Sequence, residues 1–306
     1  MFQHIPSKEN LSSIKHGFTT SIGADSFFSN REKFSNAIII NSTGLHDPHS
    51  HTDVDLNQEY NYYSFNTSDN EERLNMMIAT PHTNQELSSN HWLDETGNLV
   101  EIQYRINKFG LRCDQLSSTE SGILFIGCSF TYGTGMIESM SWPQLVSKYF
   151  KQQCWNFGMP SFGLNIPTFY FLNWFSEDYV PDAVVVFEPP LTRIEILTQQ
   201  QGTFNIKLMS NIIKEDLHDV NSFRFTNGLP LTSALHYKNS IRSLELYAKN
   251  KGIPFLKISL GDLQLNEADI DLARDLMHFG QNVHQIVAQA VVEKLTTLGL
   301  TPKSDK

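Results

Sequence analysis

The stretch GILFIG, residues 122–127, decides how the fold of this chain is predicted. Its apolar residues run without polar alternation, which is typical of a strand buried on both faces of a sheet. A polar, glycine-containing loop, CSFTYGTG (128–135), follows it, and then a helix-like segment, SWPQLVSKYF (141–150). The same succession of strand, loop and helix recurs towards the end of the chain. It indicates an α/β domain with a mostly parallel sheet and helices on both faces.

Further strands and helices are predicted from the same patterns. The strands are CWNFG (154–158), DAVVVF (182–187) before two prolines, and IPFLKISL (253–260). The helices are IPTFYFLNWFSEDY (166–179), SALHYKNSIRSLELYAKNKG (233–252) and a last one after Asn282, with Gly299 as its stop. The last helix has one apolar stripe, formed by Val283, Val287, Val291, Leu295 and Leu298. We expect the strand ends to bring several of Ser129, Ser161, Glu188 and Asp262 to one rim of the sheet. The long connection 194–230 is interpreted as a lid or an oligomer contact.

One helix has two local signals. In SWPQLVSKYF, Ser141 and Gln144 have capping-box spacing, and Trp142, Leu145, Val146 and Tyr149 are assigned to one buried face.

The first part of the chain has a different character. Up to about residue 90 it is rich in Asn, Ser, Thr and His, and its first clear pattern is an alternation of Val100, Ile102, Tyr104 and Ile106 with polar residues. That alternation predicts a half-buried strand leaving a hairpin turn at 94–98. We therefore divide the chain into a loop-rich, β-containing extension, residues 1–115, and an α/β domain, residues 116–306.

Composition restricts the class of protein. The net charge of −10 and the pI of about 5.5 argue against nucleic acid or an anionic membrane as partner. There is no apolar run of about 18 residues and no secretory signal pattern. Cys113, Cys128 and Cys154 form no CxxC pair and are typical of reduced thiols. We expect a cytoplasmic protein without a membrane partner; an oligomer is compatible with the sequence but not indicated.

Ser129 is the first candidate for chemistry. It follows a buried strand by two residues, in a loop with Gly127, Gly133 and Gly135, which permits an exposed hydroxyl and close approach of a substrate. The loop is equally compatible with a turn in which Ser129 only caps. Cys128 is the rival nucleophile, although its side chain is expected to point away from that of Ser129 and into the core.

Asp275 and His278 supply the second signal. They lie three residues apart, immediately before the last helix. This spacing allows a carboxylate to reach Nδ1 of the imidazole and leaves Nε2 to accept a serine proton. A strand-end serine and such a pair in one α/β domain favour a Ser-His-Asp arrangement.

With these motifs, GCSFTYG (127–133) and DLMHFGQNVHQIVA (275–288), the chain resembles the SGNH (GDSL-type) hydrolase family over roughly residues 105–298. The resemblance implies a flavodoxin-like three-layer fold and ester or acyl chemistry without a cofactor. It also implies Ser129 as nucleophile, His278 as general base and Asp275 as the orienting carboxylate. INKFGLRCD (106–114) is similar to a segment that precedes the first block in relatives, where its role is structural.

Three positions depart from the family pattern. Cys128 replaces the aspartate of the first block. The second block is NFGMPSFG (156–163), in which the backbone donors to an oxyanion fall on Ser161 and then Gly163, beside the N–H of Ser129. The third block is FEPP (187–190), so an asparagine donor is missing and Glu188 brings a negative charge; Thr192 or Arg193 is the candidate substitute. Loss of one oxyanion donor typically costs about 100- to 1000-fold in rate.

The remaining polar and aromatic candidates are assigned as follows. Tyr132, Phe157 and Phe162 are expected to line an acyl pocket, and Glu188 and Arg193 to contact substrate. His49, His51 and Asp53, in LHDPHSHTDVD (45–55), resemble part of a metal motif but are interpreted as a solvated loop, so no metal site is expected. His284 is expected at the surface or at the helix cap.

The sequence therefore predicts a serine esterase acting on a small ester, with a small-molecule substrate such as an acylated carbohydrate. Two alternatives stay open. An O-acyltransferase would use the same triad with an alcohol acceptor, and a binding or structural protein would keep the fold without efficient catalysis.

Overall fold

The computed structural model describes residues 59–64, 69, 75, 101–160, 162–189, 195–200, 203–208, 229–263, 265–266 and 270–304. Two short strands come first, β1 (Tyr60–Tyr63) and β2 (Tyr104–Asn107). The main sheet consists of β3 (Gly122–Gly127), β4 (Gln153–Gly158), β5 (Ala183–Phe187) and β8 (Phe255–Ile258). It is parallel throughout, in the order β4-β3-β5-β8. The predicted parallel sheet is confirmed.

Helices cover both faces of this sheet. They are α1 (Ser129–Tyr132), α2 (Trp142–Phe150), α3 (Asn165–Trp174), α4 (Leu229–Lys251) and α5 (Gln281–Thr297). Two 3₁₀ turns, Glu138–Met140 and Leu260–Asp262, lie between them. α3 and α4 pack on one face, and α2 and α5 pack on the other. None of the helices within the described ranges is long and apolar enough to cross a membrane.

The core has two halves, one on each side of the sheet. Along β3, Leu124 and Ile126 point into the half formed with α3 and α4, while Ile123 and Phe125 point into the half formed with α2 and α5. Both faces of the strand are buried, which is why its sequence shows no polar alternation. The predicted three-layer α/β fold is confirmed.

The segment before the α/β domain contributes a second, two-stranded sheet. The predicted alternation of burial is confirmed over residues 101–106: Ile102, Tyr104 and Ile106 are buried, and Glu101 and Gln103 are exposed. The strand itself begins only at Tyr104. β2 pairs antiparallel with β1, more than 40 positions earlier. The predicted turn at 94–98 lies outside the described residues. β6 (Glu195–Gln200) and β7 (Thr203–Leu208), in the long connection, pair antiparallel with each other.

The predicted boundary at residue 115 crosses a continuous core. Phe109, Leu111 and Cys113 were assigned to the extension, yet they are buried with Trp155 and Phe175 in the half of the core that holds α3 and α4. The segment leading into β3 is therefore structurally part of the α/β domain, because it covers apolar side chains of that domain.

Two local predictions for α2 were wrong. Tyr149 is 51% exposed, whereas Phe150 is fully buried. Ser141 is the N-cap, but its hydroxyl donates to the carbonyl of Glu138 at 2.7 Å and makes no side-chain cap bond. Gln144 donates to the carboxylate of Glu138 instead of closing a capping box. The preceding 3₁₀ turn supplies acceptors that the sequence pattern alone does not reveal.

Candidate active site

Ser129 lies where β3 gives way to α1. β3 ends at Gly127, Cys128 is the N-cap with an extended backbone, and Ser129 is the first helical residue, only 3% exposed. The one-turn helix ends at Gly133, which has a φ of 82°. The short helix fixes the backbone of Ser129 at the carboxyl end of a central strand, where ligands of parallel sheets bind.

The side chains of Ser129, His278 and Asp275 form one hydrogen-bonded line. Nε2 of His278 lies 2.6 Å from Oγ of Ser129, and Nδ1 of His278 lies 2.6 Å from Oδ2 of Asp275. An ionised carboxylate only accepts hydrogen bonds, so Nδ1 carries the proton and Nε2 is left to accept from the serine hydroxyl. The structure thus brings the three predicted residues together in the order that proton transfer from serine requires.

The loop that carries Asp275 is tightly held. Asp275 is fully buried, and its Oδ1 accepts the backbone N–H groups of Met277 at 3.1 Å and His278 at 3.0 Å. Leu276 has a φ of 57°, a left-handed conformation that is unfavourable for a branched side chain. These two amide donors compensate the buried carboxylate, and His278, whose side chain is 16% exposed, stays accessible.

Gly135 lets this loop approach the nucleophile loop. Its φ is 75°, and a Cβ there would lie 2.8 Å from Cβ of Ala273 and 3.3 Å from the backbone nitrogens of Arg274 and Asp275. The carbonyl of Gly135 accepts the N–H of Arg274 at 3.1 Å. Gly135, two residues beyond Gly133, the C-cap of α1, therefore determines how closely the Asp275 loop packs.

The thiol of Cys128 does not share the site with Ser129. Cys128 is buried in the half of the core that contains Phe130, Trp142 and Val146. Ser129 Oγ, by contrast, meets His278. The two side chains point in different directions, as the extended backbone of Cys128 requires, and the geometry favours the serine over the cysteine as nucleophile.

The second-block loop is attached to α1 through Asn156. Its Oδ1 accepts from the N–H of Gly158 at 2.9 Å, and its Nδ2 donates to the carbonyl of Thr131 at 3.0 Å. A Cβ on Gly158 would lie 2.7 Å from the carbonyl carbon of Thr131. Gly163 is buried farther along this loop. Ser161, the first predicted oxyanion donor, lies outside the described residues, as do Thr192 and Arg193.

Tyr132 and Phe162 are buried side chains. Tyr132 is buried against Ile102, Tyr104 and Ile106, and its ring stacks on Tyr104 at a centroid distance of 6.0 Å. Phe162 is buried in the core, and so is Phe157. The predicted substrate-binding role of Tyr132 and Phe162 is not supported by the contacts described, because both rings are engaged in packing.

Glu188, which follows β5, is engaged by side chains of α4 and β8. The hydroxyl of Tyr237, on α4, donates to its Oε1, and Lys257 Nζ, on β8, makes an ion pair with the same oxygen at 2.5 Å. Burial and this carboxylate together raise the pKa of Tyr237. These partners give the negative charge of Glu188 a structural explanation, so the predicted contact with substrate is not supported by the contacts described.

His284 is a buried residue rather than a surface or cap residue. Its Nδ1 accepts the N–H of Trp142 at 3.0 Å, and the centroids of its ring and that of Phe130 are 4.4 Å apart. Burial, with the charges of His278 and Arg112 in addition, lowers the pKa of His284 to about 3. The imidazole is therefore neutral, and it joins α5 to the start of α2 behind the nucleophile helix.

Arg112 gives the INKFGLRCD segment a clear structural role. It is buried, and its guanidinium donates to the carbonyls of Tyr132, Gly133 and Met136. Its Cζ atom also lies 4.3 Å from the ring centroid of Tyr104 and 5.5 Å from that of Tyr132. Arg112 thereby fixes the turn that follows α1, which agrees with the structural role implied for this segment.

A metal site receives no support from the described ranges. They contain no group of three or more His, Cys, Asp or Glu side chains placed to hold an ion. His49, His51 and Asp53 lie outside these ranges.

Neither a protein-family model nor a curated protein matches the chain. Solved structures similar to it include an acetyl xylan esterase from the rumen bacterium Butyrivibrio proteoclasticus, with 15% identity, a TM-score of 0.36, and coverage of 66% of this chain and 68% of that one. A family two carbohydrate esterase from Clostridium thermocellum, in complex with cellohexaose, has 12% identity, a TM-score of 0.32, and coverage of 67% and 78%. A protein described as lipolytic and of the G-D-S-L family, from Desulfitobacterium hafniense DCB-2, has 15% identity, a TM-score of 0.29, and coverage of 56% and 98%. Similarity at this level defines neither a family nor an activity for the chain.

Proposed function

We propose that this protein is a serine esterase that hydrolyses a small ester through an acyl-enzyme. One observation carries the proposal: Ser129 Oγ, His278 and Asp275 form a continuous hydrogen-bonded line with 2.6 Å at both of its contacts. A serine hydroxyl is a weak nucleophile until an adjacent base accepts its proton, and the base needs a fixed tautomer. The contacts of His278 with Ser129, on α1, and with Asp275, on its own loop, support both conditions.

The first half of the reaction forms the acyl-enzyme. Oγ of Ser129 attacks the ester carbonyl carbon while its proton passes to Nε2 of His278, and the negative charge of Asp275 stabilises the resulting imidazolium. When the tetrahedral intermediate collapses, the bond to the leaving alkoxide breaks. Nε2 returns its proton to that alkoxide, so the alcohol departs neutral and the acyl group stays on Oγ.

The second half releases the acid. Water takes the place of the alcohol, gives a proton to Nε2 of His278, and its oxygen bonds to the acyl carbon. The carbon–Oγ bond then breaks, and Ser129 recovers its proton from His278. An alcohol acceptor in place of this water would give acyl transfer, so the products formed with and without added alcohol distinguish hydrolysis from transfer.

The backbone is the proposed source of oxyanion stabilisation. Ser129 opens α1, and N–H groups of a first helical turn have no acceptor within the helix. The N–H of Ser129 is therefore a suitable donor to an oxyanion that forms beside Oγ. The second-block loop, tied to α1 by Asn156, is the proposed source of a further donor.

Intact-mass labelling with a fluorophosphonate tests the proposal. Attack by Ser129 Oγ would form an oxygen–phosphorus bond and expel fluoride, adding one probe mass. We expect one adduct on the parent, none on Ser129→Ala, and strongly slowed labelling of His278→Ala. Cys128→Ala and Ser240→Ala, the latter removing a buried serine on α4, serve as controls and should label at the parental rate. A folded parent that takes up no probe would refute the esterase proposal and favour a binding protein.

A further inference from the structure

A buried ion pair joins the Asp275 loop to the segment that precedes the α/β domain. Arg274 Nε donates to Oδ1 of Asp69 at 2.9 Å, and its Nη2 donates to Oδ2 at 2.6 Å. The side chains are 8% and 0% exposed. Nη2 also donates to the carbonyl of Ser64 at 2.8 Å. Paired, two-point contacts of this kind fix geometry as well as contribute energy.

Tyr104 extends this contact into a closed ring of hydrogen bonds that includes the loop after Ser129. Its hydroxyl donates to Oδ2 of Asp69 at 2.5 Å and accepts the N–H of Gly135 at 2.8 Å. The carbonyl of Gly135 in turn accepts the N–H of Arg274. Burial and the negative charge of Asp69 raise the pKa of Tyr104, so its hydroxyl keeps its proton and remains a donor.

This ring of hydrogen bonds includes Arg274, which belongs to the turn that positions Asp275. Arg274 precedes Asp275 directly, and Leu276 follows with its left-handed backbone. Ala273 N donates to the carbonyl of His278 at 2.9 Å, which closes the turn. Unfavourable backbone conformations persist only where the surroundings hold them. The ion pair of Arg274 is a buried anchor on one side of this turn.

We propose that Asp69 and Arg274 are positioning residues, whose ion pair holds the turn 273–278 so that Asp275 stays aligned on Nδ1 of His278. The inference rests on the proposed esterase function, since it assigns the pair a role in that same site. It also explains what the segment before the α/β domain contributes, because Asp69 supplies the acceptor that keeps the Arg274 guanidinium away from the neighbouring carboxylate of Asp275.

The proposal has an electrostatic consequence. Within the described residues, Asp275 on its own loop and Ser129 on α1 contact the His278 imidazole, and His284 on α5 interacts with it electrostatically. Arg112, before β3, acts on His284. Removing the charge of Asp69 deprives the buried Arg274 guanidinium of this carboxylate, and the uncompensated positive charge disfavours protonation of the imidazole. Removing Arg274 leaves an unpaired anion and has the opposite effect. Neutralising both restores the balance.

The first test uses steady-state kinetics with p-nitrophenyl acetate on Asp69→Asn, Arg274→Gln and the double variant. Each single variant should lose about 10- to 100-fold in kcat, with KM nearly unchanged, because misalignment affects the reacting groups rather than binding. The acid limb of the pH profile should move to lower pH in Asp69→Asn and to higher pH in Arg274→Gln. The double variant should return the limb towards its parental position.

Arg105→Gln is the matched control. Arg105 also joins β2 to the α/β domain, through ion pairs with Glu138 and Asp114, but it has no hydrogen bond to the Asp275 loop among those described. The Arg105→Gln substitution should lower thermal stability without moving the acid limb of the pH profile. If the folded Asp69→Asn and Arg274→Gln variants behave like Arg105→Gln, the pair is only structural and the proposal fails. Should Asp69→Asn not fold, Arg274→Lys provides the test: it keeps the charge, so the limb should stay in place while kcat falls.

A second readout needs no turnover. The proton between Nδ1 of His278 and Asp275 should give a downfield NMR resonance, assigned by its loss in His278→Gln. We expect this resonance to shift or broaden in Asp69→Asn and Arg274→Lys, and to stay unchanged in Arg105→Gln. An unchanged resonance in all variants overturns the positioning role even if the parent is an esterase. A parent that lacks fluorophosphonate reactivity refutes the esterase function, and the resonance still decides the positioning role.

Discussion

The backbone N–H of Trp142 donates to Nδ1 of His284 at 3.0 Å, across 142 positions of sequence. This bond joins the first residue of α2 to the first turn of α5, directly behind the helix that carries Ser129. A neutral imidazole is required, because a protonated Nδ1 cannot accept. Since burial lowers the pKa of His284 to about 3, the contact persists at neutral pH and is vulnerable to acid.

The first prediction is that His284 makes the protein less stable in acid. The unfolded chain binds a proton near pH 6.5 and the folded chain only near pH 3, so the stabilisation is complete above pH 6.5 and is lost as pH falls towards 3. Over this range the free energy of unfolding should fall with a slope that approaches about 1.4 kcal/mol per pH unit. Urea unfolding of the parent and of His284→Asn, whose Oδ1 can accept from Trp142, should show a shallower decline for the variant. Parallel declines would contradict this role of His284.

The second prediction concerns Gly135. Gly135→Ala introduces both a positive-φ penalty and a contact at 2.8 Å with Ala273, so it should displace the Asp275 loop and slow fluorophosphonate labelling at least about 10-fold. Gly252→Ala is the control, since Gly252 has a similar φ of 68° with nothing within 4 Å of a Cβ. It should cost about 1–2 kcal/mol of unfolding free energy with labelling unchanged. Equal labelling rates in the two variants would show that Gly135 does not control the position of the Asp275 loop.

The sequence predicts most of the α/β domain because its signals are local. The uniform apolar run in β3 and the apolar stripe of α5 each follow from burial, and the structure has these elements in place. Val283, Val287, Val291 and Leu295 are buried as the stripe requires, whereas Leu298 lies beyond the helix end and is exposed. The proximity of Ser129 to Asp275 and His278 was anticipated from the spacing of Asp275 and His278 before the last helix and from the resemblance to the SGNH family. It does not follow from strand ends, because β8 ends at Ile258, well before Asp275.

The remaining features depend on contacts between distant segments. Asp69 and Arg274 are 205 positions apart, and a single aspartate in a polar segment carries no local pattern. Tyr132 follows the nucleophile closely and was assigned to a pocket, but β2 places Tyr104 against it. His284 sits at a helix start, where a cap is the usual expectation, and only the packing of α5 on α2 buries it.

The third prediction is that Arg112 stabilises the turn after α1. Its guanidinium satisfies three buried carbonyls and lies against two tyrosine rings. Arg112→Met removes three charge-assisted hydrogen bonds from a buried site, although the Gly133 carbonyl keeps the N–H of Met136. Each such bond contributes about 1.5–3 kcal/mol, so the variant should lose several kcal/mol of unfolding free energy. Arg112→Lys keeps the charge but not the planar fork and should lie between parent and Met. Denaturant titration checks the order, and a Lys variant as weak as Met would show that fork geometry matters more than charge.

The fourth prediction is that Glu188→Gln leaves the rate of fluorophosphonate labelling unchanged, because Glu188 is engaged by Tyr237 and Lys257. Loss of a half-exposed ion pair should cost about 1 kcal/mol or less in unfolding free energy. The pKa of Tyr237, raised by burial and by this carboxylate, should fall towards its usual value, which an alkaline absorbance titration measures against Tyr237→Phe. Glu245→Gln, at an exposed ion pair on α4, is the control. A severalfold rise in labelling specific to Glu188→Gln would instead mean that its negative charge acts on the developing oxyanion, and that the third block retards the reaction electrostatically.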